Sequence, residues 1–134
     1  MIDILIKNLP IIVVLCPLMM SLLVVLIPNI FFSWALTTLS TFLTFLFSIL
    51  LYQEIQIHSH ISYALGKWMP PIGIEYIIDK VAIIPIIIIS GISFLATIFA
   101  YKIMPEEIEK KSISKVYSLW LLAISGLLLS LIHI

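Results

Sequence analysis

Residues 9–52 read LPIIVVLCPLMMSLLVVLI-PN-IFFSWALTTLSTFLTFLFSILLY, two long apolar runs parted only by Pro28 and Asn29. Neither run, 9–27 or 30–52, contains Asp, Glu, Lys or Arg. A helix rises about 1.5 Å per residue, so each run can cross a hydrocarbon core of about 30 Å. A break as short as Pro28-Asn29 joins such helices only as an antiparallel hairpin. Two further runs, 81–101 and 116–134, have similar length and the same lack of charge. The expected fold is therefore an all-α integral membrane protein of about four transmembrane helices, with residues 1–134 forming a single membrane domain.

Composition leads to the same class. Of the 134 residues 63% are hydrophobic and 10% charged, whereas a soluble domain carries roughly 25% charged residues. A transmembrane β-barrel is excluded because the runs do not alternate between apolar and polar residues. The first run is read as a retained span and not a cleaved leader. Asp3 offsets Lys7, the run exceeds the roughly 7–15 apolar residues of a signal core, and no small-x-small cleavage site follows.

The seven basic residues are all lysines: Lys7, Lys67, Lys80, Lys102, Lys110, Lys111 and Lys115. They offset seven carboxylates, and no basic patch of the kind that binds nucleic acid is present. Lysine-rich loops stay on the cytoplasmic side. The four lysines of the 102–115 connection therefore set that loop inside, together with the Pro28-Asn29 turn. Both termini and the 53–80 loop are then outside the cell membrane, taken as a bacterial inner membrane; Lys7 alone argues the other way. Cys16 is the only cysteine and has no internal partner for a disulfide.

Within the spans, Pro17 and Pro85 are expected to kink their helices for packing. Pro105 is expected to open the inner loop. Ser33, Thr37, Thr38, Ser40, Thr41 and Thr44 punctuate the second run, Ser90, Gly91 and Ser93 the third, and Ser125 and Gly126 the fourth. Small and hydroxylated residues let helices approach and hydrogen-bond. So many of them suggest packing against protein as well as lipid; if the chain is an accessory protein of a larger complex, Gly91 and Gly126 are expected at its assembly contacts.

The outer loop carries local order. From Ile55, apolar and polar residues alternate through Tyr63, Gly66-Lys67 offers a turn, and Ile72, Ile74 and Tyr76 alternate with Gly73 and Glu75. That pattern predicts a β-hairpin, with Pro70 and Pro71 at its bend or edge. His58 and His60 would share one strand face, a spacing seen among zinc or copper ligands. A solvent-facing pair is the plainer reading, since further ligands are wanting. Glu106, Glu107 and Glu109 with Lys110 and Lys111 read as a solvated segment with i,i+4 pairing, not as a carboxylate site. Nothing pairs a nucleophile with a base, no glycine-rich loop could cradle phosphate, and no cofactor is implied. Ion carriers place ionisable groups at membrane depth, and these four runs contain none unless His133 counts. No self-sufficient catalytic or ion-translocating site is expected.

One stretch is more specific. Residues 63–79, YALGKWMPPIGIEYIID, resemble a loop of the antiporter-like membrane subunits that reads roughly Y-x-L-G-G-W-x-P-P-x-G-I-x-Y-x-x-D. These include the D-type subunits of Mrp-type multisubunit cation/proton antiporters and the related proton-pumping subunits of respiratory complex I, the ion-translocating NADH-quinone oxidoreductase. The match covers Tyr63, Gly66, Trp68, Pro70, Pro71, Gly73, Ile74, Tyr76 and Asp79 and departs at Lys67, where the family has glycine. Two helices before the loop and two after it agree with the family layout. The resemblance implies a structural role for these loop residues. It also implies an N-terminal fragment or split piece of a larger protein of about fourteen helices, whose titratable membrane residues lie further along than Ile134. The partners implied are the lipid bilayer and either other antiporter subunits or a second chain carrying the remaining helices. Two other readings stay open: a small structural or accessory membrane protein, and a non-functional gene remnant.

Overall fold

The computed structural model describes residues 4, 8–58, 60–64, 71, 73 and 75–132. Four helices dominate: α1 (Leu9–Leu26), α2 (Ile30–His58), α3 (Ile83–Glu107) and α4 (Ile113–Leu131). Each is long and apolar enough to span a membrane. Two short strands, β1 (His60–Ala64) and β2 (Glu75–Asp79), lie between α2 and α3.

The helices begin where the sequence supplies a reason. Pro10 sits in the first turn of α1, where the N–H it lacks would have had no helical partner. The Asn29 side-chain oxygen accepts hydrogen bonds from the Phe31 and Phe32 amides at 3.0 and 3.4 Å, which caps α2. Pro85 falls in the first turn of α3, so it does not interrupt the ladder there.

The helix ends differ from the expected ones. Tyr52 is the expected end of the second span, yet α2 runs on through Gln53 and Glu54 to His58. Leu51 and Ile55, four apart, are both fully buried. Helical burial therefore overrides the two-residue alternation read from Ile55, and the first strand starts only at His60. Likewise α3 runs through Lys102 and Pro105 to Glu107, leaving only residues 108–112 between it and α4. The polar residues there are good helix formers, and hydropathy marks where the apolar surface stops, not where the backbone must. Pro105 lies inside the last turn of α3.

The helices pack α1 against α2 and α4, and α2 against α3, with lighter contacts of α4 to α2 and α3. The bundle runs up, down, up, down, with short links after α1 and α3 and the strand-bearing segment after α2. The Pro28-Asn29 turn and residues 108–112 share one end; the strands, the start of α1 and the end of α4 share the other. One apolar cluster fills the strand end, from Leu9, Val13, Leu51, Ile55, Ile78, Ile83, Ile86 and Leu128. A second, around Val24, Ile113, Tyr117 and Leu121, fills the turn end.

β1 and β2 pair antiparallel, with Tyr63 opposite Tyr76 and His60 opposite Asp79. The ribbon contacts α1 and α2. The expected turn at Gly66-Lys67, together with Ser59, Trp68, Pro70, Ile72 and Ile74, lies outside the described residues.

Candidate functional site: a capped ribbon and a hydroxyl seam

The interior between the two apolar clusters is built mostly from hydroxyls. Ser33, Thr37, Ser40, Thr41, Thr44 and Ser48 of α2 are all buried, and so are Ser21, Ser90, Ser93, Thr97, Ser114 and Ser125 from the other helices. Their three- and four-residue spacing in α2 lines one face of that helix. Most hydroxyls donate back to the carbonyl one turn earlier: Thr37 to Ser33 at 2.7 Å, Thr44 to Ser40 at 2.8 Å, Ser48 to Thr44 at 2.8 Å. This satisfies the donor without a partner helix and leaves a narrow, nearly apolar contact surface.

A few hydroxyls bridge helices. Ser114 donates to the Ile27 carbonyl at 2.6 Å, and Ser33 lies 2.8 Å from the Ser114 hydroxyl. The Ser33 hydroxyl also reaches the Ile27 carbonyl, at 3.1 Å, so the two serines share that acceptor. Ile27 terminates α1 with an extended backbone, so its carbonyl would otherwise be an orphan of the helix end. Three helices are tied there. Elsewhere Ser118 donates to the Ser21 carbonyl at 2.8 Å, Thr41 and Thr97 lie 3.1 Å apart, and the Trp34 indole donates to the Thr97 carbonyl at 2.8 Å. Cys16 is half-buried, 4.0 Å from Ser40. Two buried hydroxyls, Thr38 and Tyr117, have no hydrogen-bond partner among the described residues.

The outward faces carry the reverse chemistry. Leu26, Phe99 and Leu119 are 78%, 67% and 63% exposed. Such a continuous apolar exterior is a liability in water and an ordinary surface in lipid, where small and polar residues join helices from within.

The sequence-motif residues distribute as follows. Asp79 ends β2, and its carboxylate accepts the Val81 and Ala82 amides at 3.2 and 2.8 Å. It thereby satisfies free donors in the turn that leads into α3. Tyr76 is half-buried and packs on the strand-end apolar cluster. Ile78, two residues on, shares its strand face and is fully buried. Tyr63 pairs with Tyr76 by register. Pro71 is exposed and Gly73 half-buried; Gly66, Trp68, Pro70 and Ile74 lie outside the described residues, as does His133. His58 closes α2 while His60 opens β1, so the two histidines do not share a strand. Among the described residues no group of three or more His, Cys, Asp or Glu side chains gathers as for a metal ion.

Gly91 and Gly126, paired in the sequence reading, separate in the structure. A Cβ on Gly91 would stand 3.2 Å from the Phe45 ring of α2. That glycine serves a contact inside the chain, between α3 and α2. A Cβ on Gly126 would meet nothing within 4 Å.

Features that sequence reasoning missed cluster at the turn end. Trp34 and Tyr101 pack in a tilted arrangement with centroids 4.6 Å apart, and Phe31 lies 6.4 Å from Tyr101. A crevice of about 100 Å³ between α3 and α4 is lined by Ala96, Ala100, Met104, Tyr117 and Trp120. An open cavity of about 510 Å³ sits between the Pro28-Asn29 turn, Tyr101, Pro105 and Lys110. The signal that could have located this end was the coincidence of aromatics and lysines at the margins of the runs.

A fold of four apolar helices around a hydroxyl interior fits a multi-pass helical membrane protein. In comparisons with known proteins, no family model, no curated protein and no solved structure matches this chain.

Proposed function

We propose that the chain is the N-terminal part of an antiporter-like membrane protein, of the kind found as the D-type component of Mrp-type cation/proton antiporters, and that it serves as a packing and assembly unit. It supplies no ion-translocating residue of its own and is not an enzyme. The supporting observation is the 63–79 stretch: its last residue, Asp79, caps the turn into α3, and Tyr76 and Ile78 seat the ribbon on the bundle. A loop sequence tied this closely to the start of the third helix has a mechanical reason to be specific.

The partners under this reading are the bilayer and further antiporter subunits, or a second chain with the remaining helices. Affinity purification after gentle detergent extraction tests it. Recovery of other antiporter-type subunits is expected, and their consistent absence overturns the proposal.

The orientation belongs to the same reading. Lys102, Lys110, Lys111 and Lys115 gather at the turn end, and the preference of lysines for the cytoplasmic side assigns that end to the cytoplasm. The ribbon, an extracytoplasmic hairpin-like loop, is then outside. A Ser59→Cys variant in intact cells should react with a membrane-impermeant maleimide; protection of that thiol would reverse the assignment.

A second reading is a small structural or accessory membrane protein. It is favoured by the outer face of α4, where Ala123, Gly126 and Ser130 are exposed and the space over Gly126 is open. In this reading Gly126→Leu disrupts a larger complex while membrane insertion persists.

A further inference from the structure

We propose that the open cavity at the turn end is a binding site for the headgroup of an anionic glycerophospholipid, with Lys110 as its phosphate contact. The cavity measures about 510 Å³ and is walled by Pro28, Asn29, Phe31, Tyr101, Pro105 and Lys110. Three separate segments build it: the α1–α2 turn, the last turns of α3 and the connection to α4. The two prolines stiffen its walls. The Tyr101 ring packs against Trp34, tilted with centroids 4.6 Å apart, and makes an edge contact with Phe31.

The charge favours an anion. Among the described residues Lys110 is the only ionised side chain lining the cavity, and it makes no ion pair or hydrogen bond with any of them. Glu106, Glu107 and Glu109 are near in sequence but do not line it. The cavity also opens beside the first turn of α2, whose N-terminus carries a positive partial charge.

The depth favours a lipid over a soluble anion. The cavity lies at the level where the apolar runs end, with Tyr101 and Trp34 placed as interfacial aromatics are. Phe31 of its wall is 53% exposed, and Leu26 and Phe32, close to the lining residues in sequence, are 78% and 58% exposed. A phosphate seated at Lys110 therefore leaves its acyl chains against an aromatic and aliphatic wall that nothing else among the described residues covers. Basic pockets between transmembrane helices on the cytoplasmic side hold anionic headgroups by the same combination.

Native mass spectrometry of the full chain, released from detergent with equal phosphatidylglycerol and phosphatidylcholine, tests the site. Preferential retention of phosphatidylglycerol is expected, and Lys110→Gln should lower it about fivefold. Lys111→Gln removes the same charge one residue away and should leave retention unchanged. Tyr101→Ala, with helical content held, should weaken retention of the same lipid. Equal losses in the two lysine variants mean diffuse charge attraction and overturn the site. So does retention of both lipids alike. Displacement of phosphatidylglycerol by millimolar inorganic phosphate would instead mark a free-anion site and overturn the lipid assignment.

Discussion

The inner face of α2 and the outer face of α4 are both rich in small and hydroxylated residues, yet they are used in opposite ways. On α2, Ser33, Thr37, Ser40, Thr41, Thr44 and Ser48 are buried against the chain's own helices. Across that seam Gly91 of α3 meets Phe45. On α4, Ala123, Gly126 and Ser130 look outward, with open space over the glycine. Small residues permit close approach, but they do not say what approaches. On α2 the neighbour is already present; on α4 it is lipid or another protein.

The sharpest way to break this comparison is to fill both glycines. Gly91→Leu puts a branched side chain where even a Cβ already presses on Phe45. It should destabilise the isolated chain by about 1–3 kcal/mol, as overpacking does, read from unfolding in mixed detergent micelles. An unchanged unfolding curve would mean the α2–α3 contact is looser than its geometry.

The next effect belongs to the ribbon. Asp79→Ala removes the acceptor for the Val81 and Ala82 amides and should cost about 1 kcal/mol, the usual scale of a lost cap. Asp79→Asn, which keeps an acceptor oxygen, should recover most of it. Asn behaving as badly as Ala would point to the charge and not the hydrogen bonds.

Within the seam, a double-mutant cycle on Ser33→Ala and Ser114→Ala should give a coupling of about 0.6 kcal/mol, the average for interhelical hydrogen bonds in a membrane protein. Zero coupling would place the whole Ser114 contribution in its bond to the Ile27 carbonyl.

The smallest effect is expected at Gly126→Leu, within about 0.5 kcal/mol for the isolated chain, as for exposed positions generally. The contrast with Gly91 is sharpened if the same variant loses partners on gentle extraction. A loss of stability as large as that of Gly91→Leu would erase the distinction between the two faces.

Much of the fold is legible from residues alone. The runs at 9–27, 30–52, 81–101 and 116–134 locate four helices because apolar length is what a bilayer selects. Pro28-Asn29 defines the first hairpin because so short a link leaves α2 only one direction. The ends are less legible. Helix α2 continues to His58 and α3 to Glu107 because backbone hydrogen bonds persist where hydropathy falls. The alternation from Ile55 misleads for a related reason: over a few residues, period two and period four share members, and only the burial of Leu51 with Ile55 separates them.

For the candidate site the division is similar. The resemblance at residues 63–79 singles out Tyr76 and Asp79 from sequence, but their roles as a packing ring and a cap come from the tertiary arrangement. The junction of Ser33, Ser114 and Ile27 joins positions 81 and 87 residues apart, and no local pattern announces it.

The sequence by itself determines that this chain has four apolar helices, that four of its seven lysines fall in one connection, and that the apolar runs are poor in ionisable groups. These are properties of composition along the chain, and the physics behind them, transfer of apolar segments out of water, acts on each segment separately. Only the tertiary structure decided which small residues face inward, which glycine is already occupied, and that Lys110, Tyr101 and the Pro28-Asn29 turn share one cavity. Those outcomes depend on how each helix is rotated about its axis, and rotation is set by side-chain packing between segments that lie far apart in the chain.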